Sequence, residues 1–309
     1  MIRVHFILGC TGSGKGAAGR EIARRVGGQI VSVDSMKVYR RMDIGTAKPT
    51  PAQRAEIPHH CIDLVEPSEH FSVARFVEHA DRAIGQIHAA GAPILAVGGT
   101  ALYIKALSEG LFEGPGADPE IRASLQGRAE AEGLAALHAE LARVDPEAAG
   151  RIHPNDAKRI VRALEVYRLT GTPISELQQQ WDRSRQRYDC VFIGLRRGAE
   201  DAARRINARV KRMIELGLRE EVAALLAEPA GLSDQAAQAL GYAEMIRHLR
   251  GEIPLDEAVE QIKINTRQFA KRQRTWFRGF RQTHWIDVAP EDTPETVADA
   301  AMEFVGRDE

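Results

Sequence analysis

Residues 2–16 lay down a strand, a glycine-rich turn and a helix in that order. Ile2-Arg-Val-His-Phe-Ile-Leu8 is a short apolar run with the character of a buried strand, and Gly9 to Gly14 is the turn. From Lys15 to Val26, Ala18, Ile22 and Val26 recur at helical spacing. This order puts the backbone N–H groups of the turn at a helix N-terminus, where the partial positive charge attracts an anion. Gly9, Cys10, Thr11, Gly12, Ser13, Gly14, Lys15 and Gly16 are therefore expected to line a phosphate loop, with Lys15 supplying a full charge. Gly16 stands where Ser or Thr is usual, so the hydroxyl that normally helps to hold Mg²⁺ is missing. The metal must then lean on Ser13, Thr11, water or the phosphates. Ile7-Leu8-Gly9-Cys10 looks like a lipoprotein cleavage site, but the apolar stretch before it is far too short for a signal peptide.

Further strands are expected at Gln29–Val33 and Pro93–Val97, and helices at Ser72–Ala90 and from Ala101. Strands alternating with helices imply a parallel sheet covered on both sides. Past Gly114-Pro115-Gly116 the pattern is helical only, from Asp118-Pro119 until a strand pattern returns at Tyr188–Leu195. Helices dominate from Ala199 to Phe280, and His284-Trp285-Ile286 has the character of a last strand. The fold expected is α/β, a P-loop NTPase-like parallel-sheet core (1–113 and 187–309) with helices on both faces. An all-helical insertion domain (114–186) and a helical C-terminal region complete it.

Composition narrows the function. The 309 residues are 44% hydrophobic and 28% charged, which excludes disorder. With 42 Lys+Arg against 43 Asp+Glu the chain is not a polycation, so any nucleic-acid site is a local patch. Three scattered cysteines suit a reducing cytoplasm, and no apolar run is long enough to span a membrane. No coiled-coil signal argues against a monomer.

Ligands of such sheets sit at the carboxyl ends of the strands. Asp34 follows the second strand and faces the phosphate loop, where a carboxylate can bind Mg²⁺ or take a proton; a plain turn residue would look the same. Gly98-Gly99-Thr100 ends another strand on that side. Arg205 and Arg209 lie one turn apart on a helix. Lys158, Arg159 and Arg162 form one basic cluster. Arg267, Lys271, Arg272, Arg274, Arg278 and Arg281 form another, interleaved with Phe269, Trp276, Phe277 and Phe280. Basic groups and stacking aromatics suit RNA, although a helix with an apolar core face and a basic outer face shows the same pattern. His59-His60-Cys61 fits no closed zinc site. Tyr103 and Tyr242 are structural or line a channel.

Several blocks together resemble the tRNA dimethylallyltransferases. They are Asp34-Ser-Met-Lys-Val-Tyr-Arg-Arg-Met-Asp-Ile-Gly-Thr-Ala-Lys-Pro49, Val97-Gly-Gly-Thr-Ala-Leu-Tyr-Ile-Lys105, Arg151-Ile-His-Pro-Asn-Asp-Ala-Lys-Arg159, Leu240-Gly-Tyr242 and Thr266-Arg-Gln-Phe-Ala-Lys-Arg-Gln-Arg-Thr-Trp-Phe-Arg278. The resemblance spans roughly residues 4–287, with all blocks in order. It implies transfer of a dimethylallyl group from dimethylallyl diphosphate to N6 of the adenosine 3′ of the anticodon, with Mg²⁺ as cofactor. It implies that the phosphate loop holds the isoprenoid diphosphate, and that the nucleotide enters a channel through the core. It makes Asp34 the general base, Thr100 a residue near the reacting centre and Arg209 a diphosphate ligand. Contact with the tRNA anticodon stem-loop is implied for Asp34, Ser35, Met36, Lys37, Thr100, Arg122, Lys158, Arg159, Ile160, Val161, Arg162, Lys271 and Arg272. Ser13 and Asp34 are the candidate metal donors. Two residues depart from the pattern: Gly16, and Lys37 where many members carry Gln. Three rivals share part of this evidence: an adenylate isopentenyltransferase acting on free AMP, ADP or ATP, a small-molecule kinase and a non-catalytic RNA-binding protein. The helical insertion and the basic C-terminal block favour tRNA over the first; the absent hydroxyl at position 16 and the basic-aromatic block weigh against the second; Asp34, Thr100 and Arg209 together argue against the third.

Overall fold

The computed structural model describes residues 1–110, 114–182 and 186–306. The chain divides into two compact units, Met1–Ser108 with Arg187–Glu309, and Glu109–Gln186. The first boundary falls at Glu109 rather than 114; residues 111–113, where the sequence reading ended the core, lie outside the described residues.

In the larger unit the chain runs β1 (Arg3–Gly9), α1 (Lys15–Val26), β2 (Gln29–Val33), α2 (Pro51–Glu56), β3 (His59–His60), α3 (Val73–Ala89), β4 (Ile94–Gly98) and α4 (Ala101–Glu109). The helical unit follows as α5 (Pro119–Glu132), α6 (Leu134–Val144), α7 (Pro146–Arg151), α8 (Ala157–Thr170) and α9 (Ile174–Asp182). The chain then returns through β5 (Asp189–Arg197), α10 (Ala199–Glu215), α11 (Leu218–Leu226), α12 (Asp234–Ala237), α13 (Tyr242–Leu249), α14 (Leu255–Phe277), β6 (Thr283–Val288) and α15 (Pro294–Val305).

The six strands pair in the order β3-β2-β4-β1-β5-β6, every pair parallel. Central strands of a sheet covered on both faces are apolar throughout, and β1 is buried from Val4 to Gly9 and β4 along its whole length. Alternate residues feed two cores, as the two-residue side-chain period requires. Val4, Phe6 and Leu8 point into the layer that holds α3, α4 and α10–α14; Ile7, Leu95 and Val97 point at α1 and α15. The histidines of β3 have local partners: His59 Nδ1 donates to the Ile57 carbonyl at 2.6 Å, and His60 Nε2 lies 2.8 Å from Gln29 Oε1. Among the described residues no helix is long and apolar enough to cross a membrane.

The helical unit packs on Leu125, Leu137, Leu141, Ile160, Val161, Leu164 and Ile174. Ile160 and Val161 are 0% and 6% exposed, so their side chains pack in the core of the helical unit. Beside them Glu165 is fully buried. It accepts from Arg122 Nε (2.9 Å), from Arg162 (2.7 Å) and from the Asp118 N–H (2.8 Å). Burial alone would raise the Glu165 carboxyl; the two guanidinium groups overcome that and hold it below the usual carboxylate range. Glu165→Ala strands this network, and the expected cost is about 3 kcal/mol of stability, read from denaturant unfolding. A loss under about 1 kcal/mol would show the cluster to be an ordinary surface ion pair.

Candidate active site

Three turns meet at the carboxyl edge of the sheet. The first is the phosphate loop between β1 and α1. Gly14 caps α1 with φ 94°, a left-handed backbone that glycine adopts without strain. The Lys15 ammonium reaches back over the loop to 3.5 Å from the Cys10 carbonyl. Ser13 is only 1% exposed, and its Oγ stands where a Cβ on Gly9 would sit within 2.5 Å. Its hydroxyl is thus packed beneath the loop. The Thr11 hydroxyl is also taken, donating to Gln273 Oε1 at 3.1 Å. At Gly16 an added Cβ would meet only Arg20, at 3.9 Å, so sterics do not account for the missing hydroxyl. Among the described residues no group of three or more His, Cys, Asp or Glu could hold a metal ion.

The second turn follows β2. Asp34 Oδ1 accepts from the Met36 N–H (3.0 Å) and the Lys37 N–H (3.3 Å). The carboxylate is therefore the turn-forming residue that the sequence left as an alternative, and it is also half-buried beside three cations. The negative charge of Asp34 acts on Lys15, Lys37 and Arg209. The third turn is Gly98-Gly99-Thr100. A Cβ on Gly98 would overlap the Val33 carbonyl, so only glycine lets β4 end this close to β2. Thr100 Oγ1 accepts from the Ser35 N–H at 3.1 Å and ties the third turn to the second.

The electrostatics follow from burial. Desolvation lowers Lys15, opposed by Asp34 and reinforced by Arg209. Arg209, on α10, is lowered by burial against the pull of Asp34. Lys37 is pushed down to about 8, again first by burial, with Lys15, Arg209 and Arg20 adding to the effect. Three cations gathered around one carboxylate, Lys15, Lys37 and Arg209 around Asp34, form a site built for an anion.

The sign of the pH effect can be worked out for Lys37. It releases its proton near pH 8 in the fold and near 10.5 when unfolded. Between those values the unfolded chain holds more protons, so stability rises with pH; below pH 8 the buried charge is a constant cost. Lys37→Gln is expected to raise the Tm at pH 7 by roughly 2–4 °C. That gain shrinks as the pH climbs toward 10.5, which melts of both proteins across the range will test.

A comparison with family models matches residues 37–280 to the IPP transferase model and residues 2–59 to the isopentenyl transferase model. The chain belongs to the IPP transferase family. A tRNA dimethylallyltransferase of Geobacter metallireducens is 49% identical over 285 residues, 92% of each chain. That of Anaeromyxobacter dehalogenans is 46% identical over 297 residues, 96% of this chain and 98% of its own. Among solved structures, the tRNA isopentenylpyrophosphate transferase of Bacillus halodurans is 39% identical, with a TM-score of 0.73, covering 99% of this chain and 96% of its own. A eukaryotic dimethylallyltransferase described as acting on tRNA is 27% identical, with a TM-score of 0.83, covering 99% and 79%.

Within this IPP transferase fold the remaining sequence candidates separate. Arg205 brings its guanidinium to 3.9 Å from where a Gly14 Cβ would stand, over the phosphate loop. Lys158 and Arg159 are exposed on the helical unit, whereas Arg122 and Arg162 are committed to Glu165 and Arg162 also to the Pro115 carbonyl (2.7 Å). On α14, Lys271 and Arg272 are exposed. Arg267, Lys271 and Arg274 rim a cavity of about 260 Å³ floored by Ala202, Ala203 and Ile206 of α10. The aromatics divide: Phe277 is core, Phe280 packs on Phe192 and Phe277, and Trp276 is 46% exposed. Tyr103 is stacked on Phe76 in the core (centroids 4.1 Å apart).

Two residues that the sequence reading passed over organise the site. Glu221, on α11, accepts from the N–H groups of Asp43 (2.9 Å), Ile44 (2.8 Å) and Gly45 (3.3 Å) and from the Tyr242 hydroxyl (2.6 Å). It thereby joins the Asp34–Pro49 block to Leu240-Gly-Tyr242, and it makes Tyr242, which is fully buried, a structural residue. Nothing in the local sequence marks Glu221. The second is Gln273, a polar residue in the buried stripe Thr266, Ala270, Gln273, Phe277 of α14, and that interruption is a legible signal.

Proposed function

We propose that this chain transfers a dimethylallyl group from dimethylallyl diphosphate to N6 of the adenosine 3′ of the anticodon in tRNA, as a cytoplasmic monomer. The observation that carries this reading is the juxtaposition of the phosphate loop and its cations with a half-buried carboxylate, Asp34, in a member of the IPP transferase family. An allylic diphosphate is a good electrophile because its carbon shares positive charge along the double bond. An exocyclic amine is a poor nucleophile because its lone pair is delocalised. The protein must therefore position the two, remove a proton and stabilise the leaving diphosphate.

In this reading the loop N–H groups, Lys15 and Arg209 hold the diphosphate, and Arg205 lies over the loop to add charge. Asp34 accepts the N6 proton through the oxygen not engaged by the turn, and Thr100 keeps the Asp34–Ser35 turn in place. Ser13 and Asp34 are the side chains that would hold magnesium, which would supply further positive charge to the leaving group. The target base leaves its stack to reach Asp34. Lys158, Arg159, Lys271 and Arg272 offer exposed cations to the RNA phosphates.

The test is a transfer assay with labelled dimethylallyl diphosphate, Mg²⁺ and either an anticodon stem-loop or free AMP. Label on N6 of the stem-loop adenosine alone sustains the reading. Label on AMP assigns the adenylate reaction instead, and label on neither removes the prenyl-transfer reading.

A further inference from the structure

Gln273 is 6% exposed, and its amide makes three hydrogen bonds, all to the two turns. Its Oε1 accepts from the Thr11 N–H at 2.8 Å and from the Thr11 hydroxyl at 3.1 Å. Its Nε2 donates to the Gly99 carbonyl at 2.8 Å. The orientation of the amide is unambiguous, because a flipped group would set NH₂ against an N–H and oxygen against a carbonyl. A Cβ on Gly99 would stand 2.7 Å from Nε2 and 3.2 Å from the Gly9 carbonyl, so the glycine is what admits the side chain. Gln273 thus closes a bridge across β1 and β4 at their carboxyl ends. One abutment is the phosphate loop. The other is the turn that carries Thr100, which in turn holds Ser35 beside Asp34. The two abutments serve different partners in the reaction proposed above: the loop holds the leaving diphosphate and the turn holds the proton acceptor. The next residues along α14 toward Phe277 and back toward Ala270, Arg274 and Arg272, belong to the basic surface.

We infer that Gln273 is a positioning residue, a strut that sets the distance between the diphosphate-binding loop and the Thr100–Asp34 side of the site. This rests on the functional reading above for the identity of the two substrates, though not for the geometry. A buried amide in this place has a physical reason. Replacing it by an apolar side chain leaves the Thr11 N–H and the Gly99 carbonyl without partners in a site closed to water, and the loop and the turn then relax independently. A reacting pair displaced by about 1 Å loses on the order of 10²-fold in rate.

The experiment uses the full chain with Gln273→Met, which keeps the length and volume but makes none of the three bonds, and Gln273→Glu. The latter keeps the acceptor for Thr11, loses the donor to Gly99 and adds a negative charge. Transfer to an anticodon stem-loop gives kcat and KM, and calorimetric titration with inorganic pyrophosphate and Mg²⁺ reads the loop alone. The expected result for Gln273→Met is a Tm lowered by a few degrees, from the two unpartnered backbone groups, with a stem-loop KM within about twofold, a kcat about 100-fold lower and a pyrophosphate Kd raised severalfold. For Gln273→Glu the pyrophosphate Kd rises further at pH 8 than at pH 5, because the introduced carboxylate is ionised against the loop that binds the anion; the positioning role itself is read from the kcat-against-KM split of Gln273→Met. Parent-like kcat and pyrophosphate Kd in Gln273→Met overturn the inference. A raised stem-loop KM with unchanged pyrophosphate Kd also overturns it, and assigns Gln273 to the RNA surface. If the parent fails to modify the stem-loop, the functional reading falls, and the pyrophosphate titration still decides the strut on its own.

Discussion

Asp34→Asn is expected to lower kcat for dimethylallyl transfer by roughly 10²–10⁴ while the protein folds normally and still binds diphosphate. Asparagine is the informative replacement because Asp34 has two duties. Oδ1 accepts from the Met36 and Lys37 N–H groups, and the asparagine carbonyl can accept the same two bonds. The turn therefore survives and only the charge is lost; alanine would remove both. Asp34 also opposes the lowering of Lys15, Lys37 and Arg209 by burial. Without it the site is more positive. Pyrophosphate should therefore bind Asp34→Asn at least as tightly as the parent at pH 7, which calorimetry would show. A variant that loses binding and turnover together would mean that Asp34 holds the diphosphate, through a metal, and is not the proton acceptor. Activity within tenfold of the parent would remove Asp34 from the chemistry altogether.

Lys15→Ala carries the second large effect, a fall of roughly 10²–10³ in kcat. The ammonium is held over the loop at the Cys10 carbonyl, and its alkyl chain lies against the third turn, where a Cβ on Gly99 would come within 3.3 Å of Cε. It is thus placed over the loop as well as partly desolvated, and a positioned charge of this kind acts on a developing negative charge. Arg209→Ala should show a similar loss. The double variant should lose less than the product of the two, because both cations act on one leaving group and their effects couple. Single-turnover rates for the four proteins make the cycle. Strict additivity would place the two cations on different groups, and an unchanged Lys15→Ala rate would end the case for a working phosphate loop.

Much of this architecture is legible from residue order. The strand at 3–9, the glycine turn and α1 are local patterns, and each states its own burial. The apolar runs of β1 and β4, alternating with helical patterns, read as strands of a covered parallel sheet, and Phe76, Ala80, Ile84 and Ile87 recur with the period of a helix lying on one face. Asp34 and Thr100 are legible as site residues because both follow strands, and in such a sheet strand ends converge on one edge. Other features are not legible there, for a specific reason. Ile160 and Val161 sit among basic residues, yet the helical period turns them inward while Lys158 and Arg159 face water. Arg122 and Arg162 look free in sequence, and only packing reveals that Glu165 lies buried between them. Ser13 carries a suitable hydroxyl, but the curl of the loop turns it under Gly9.

The division follows from the range of the forces involved. Periodicity and turn chemistry act over a few residues, so the order of elements, the phosphate loop and the basic face of α14 are written in the chain itself. Hydrogen bonds that close the site join residues hundreds of positions apart: Gln273 to Thr11 across 262 residues, Gln273 to Gly99 across 174, Glu221 to Ile44 across 177. No local pattern specifies such a partner, because a buried amide or carboxylate is satisfied by whatever donor the assembled sheet and helices bring within about 3 Å of it.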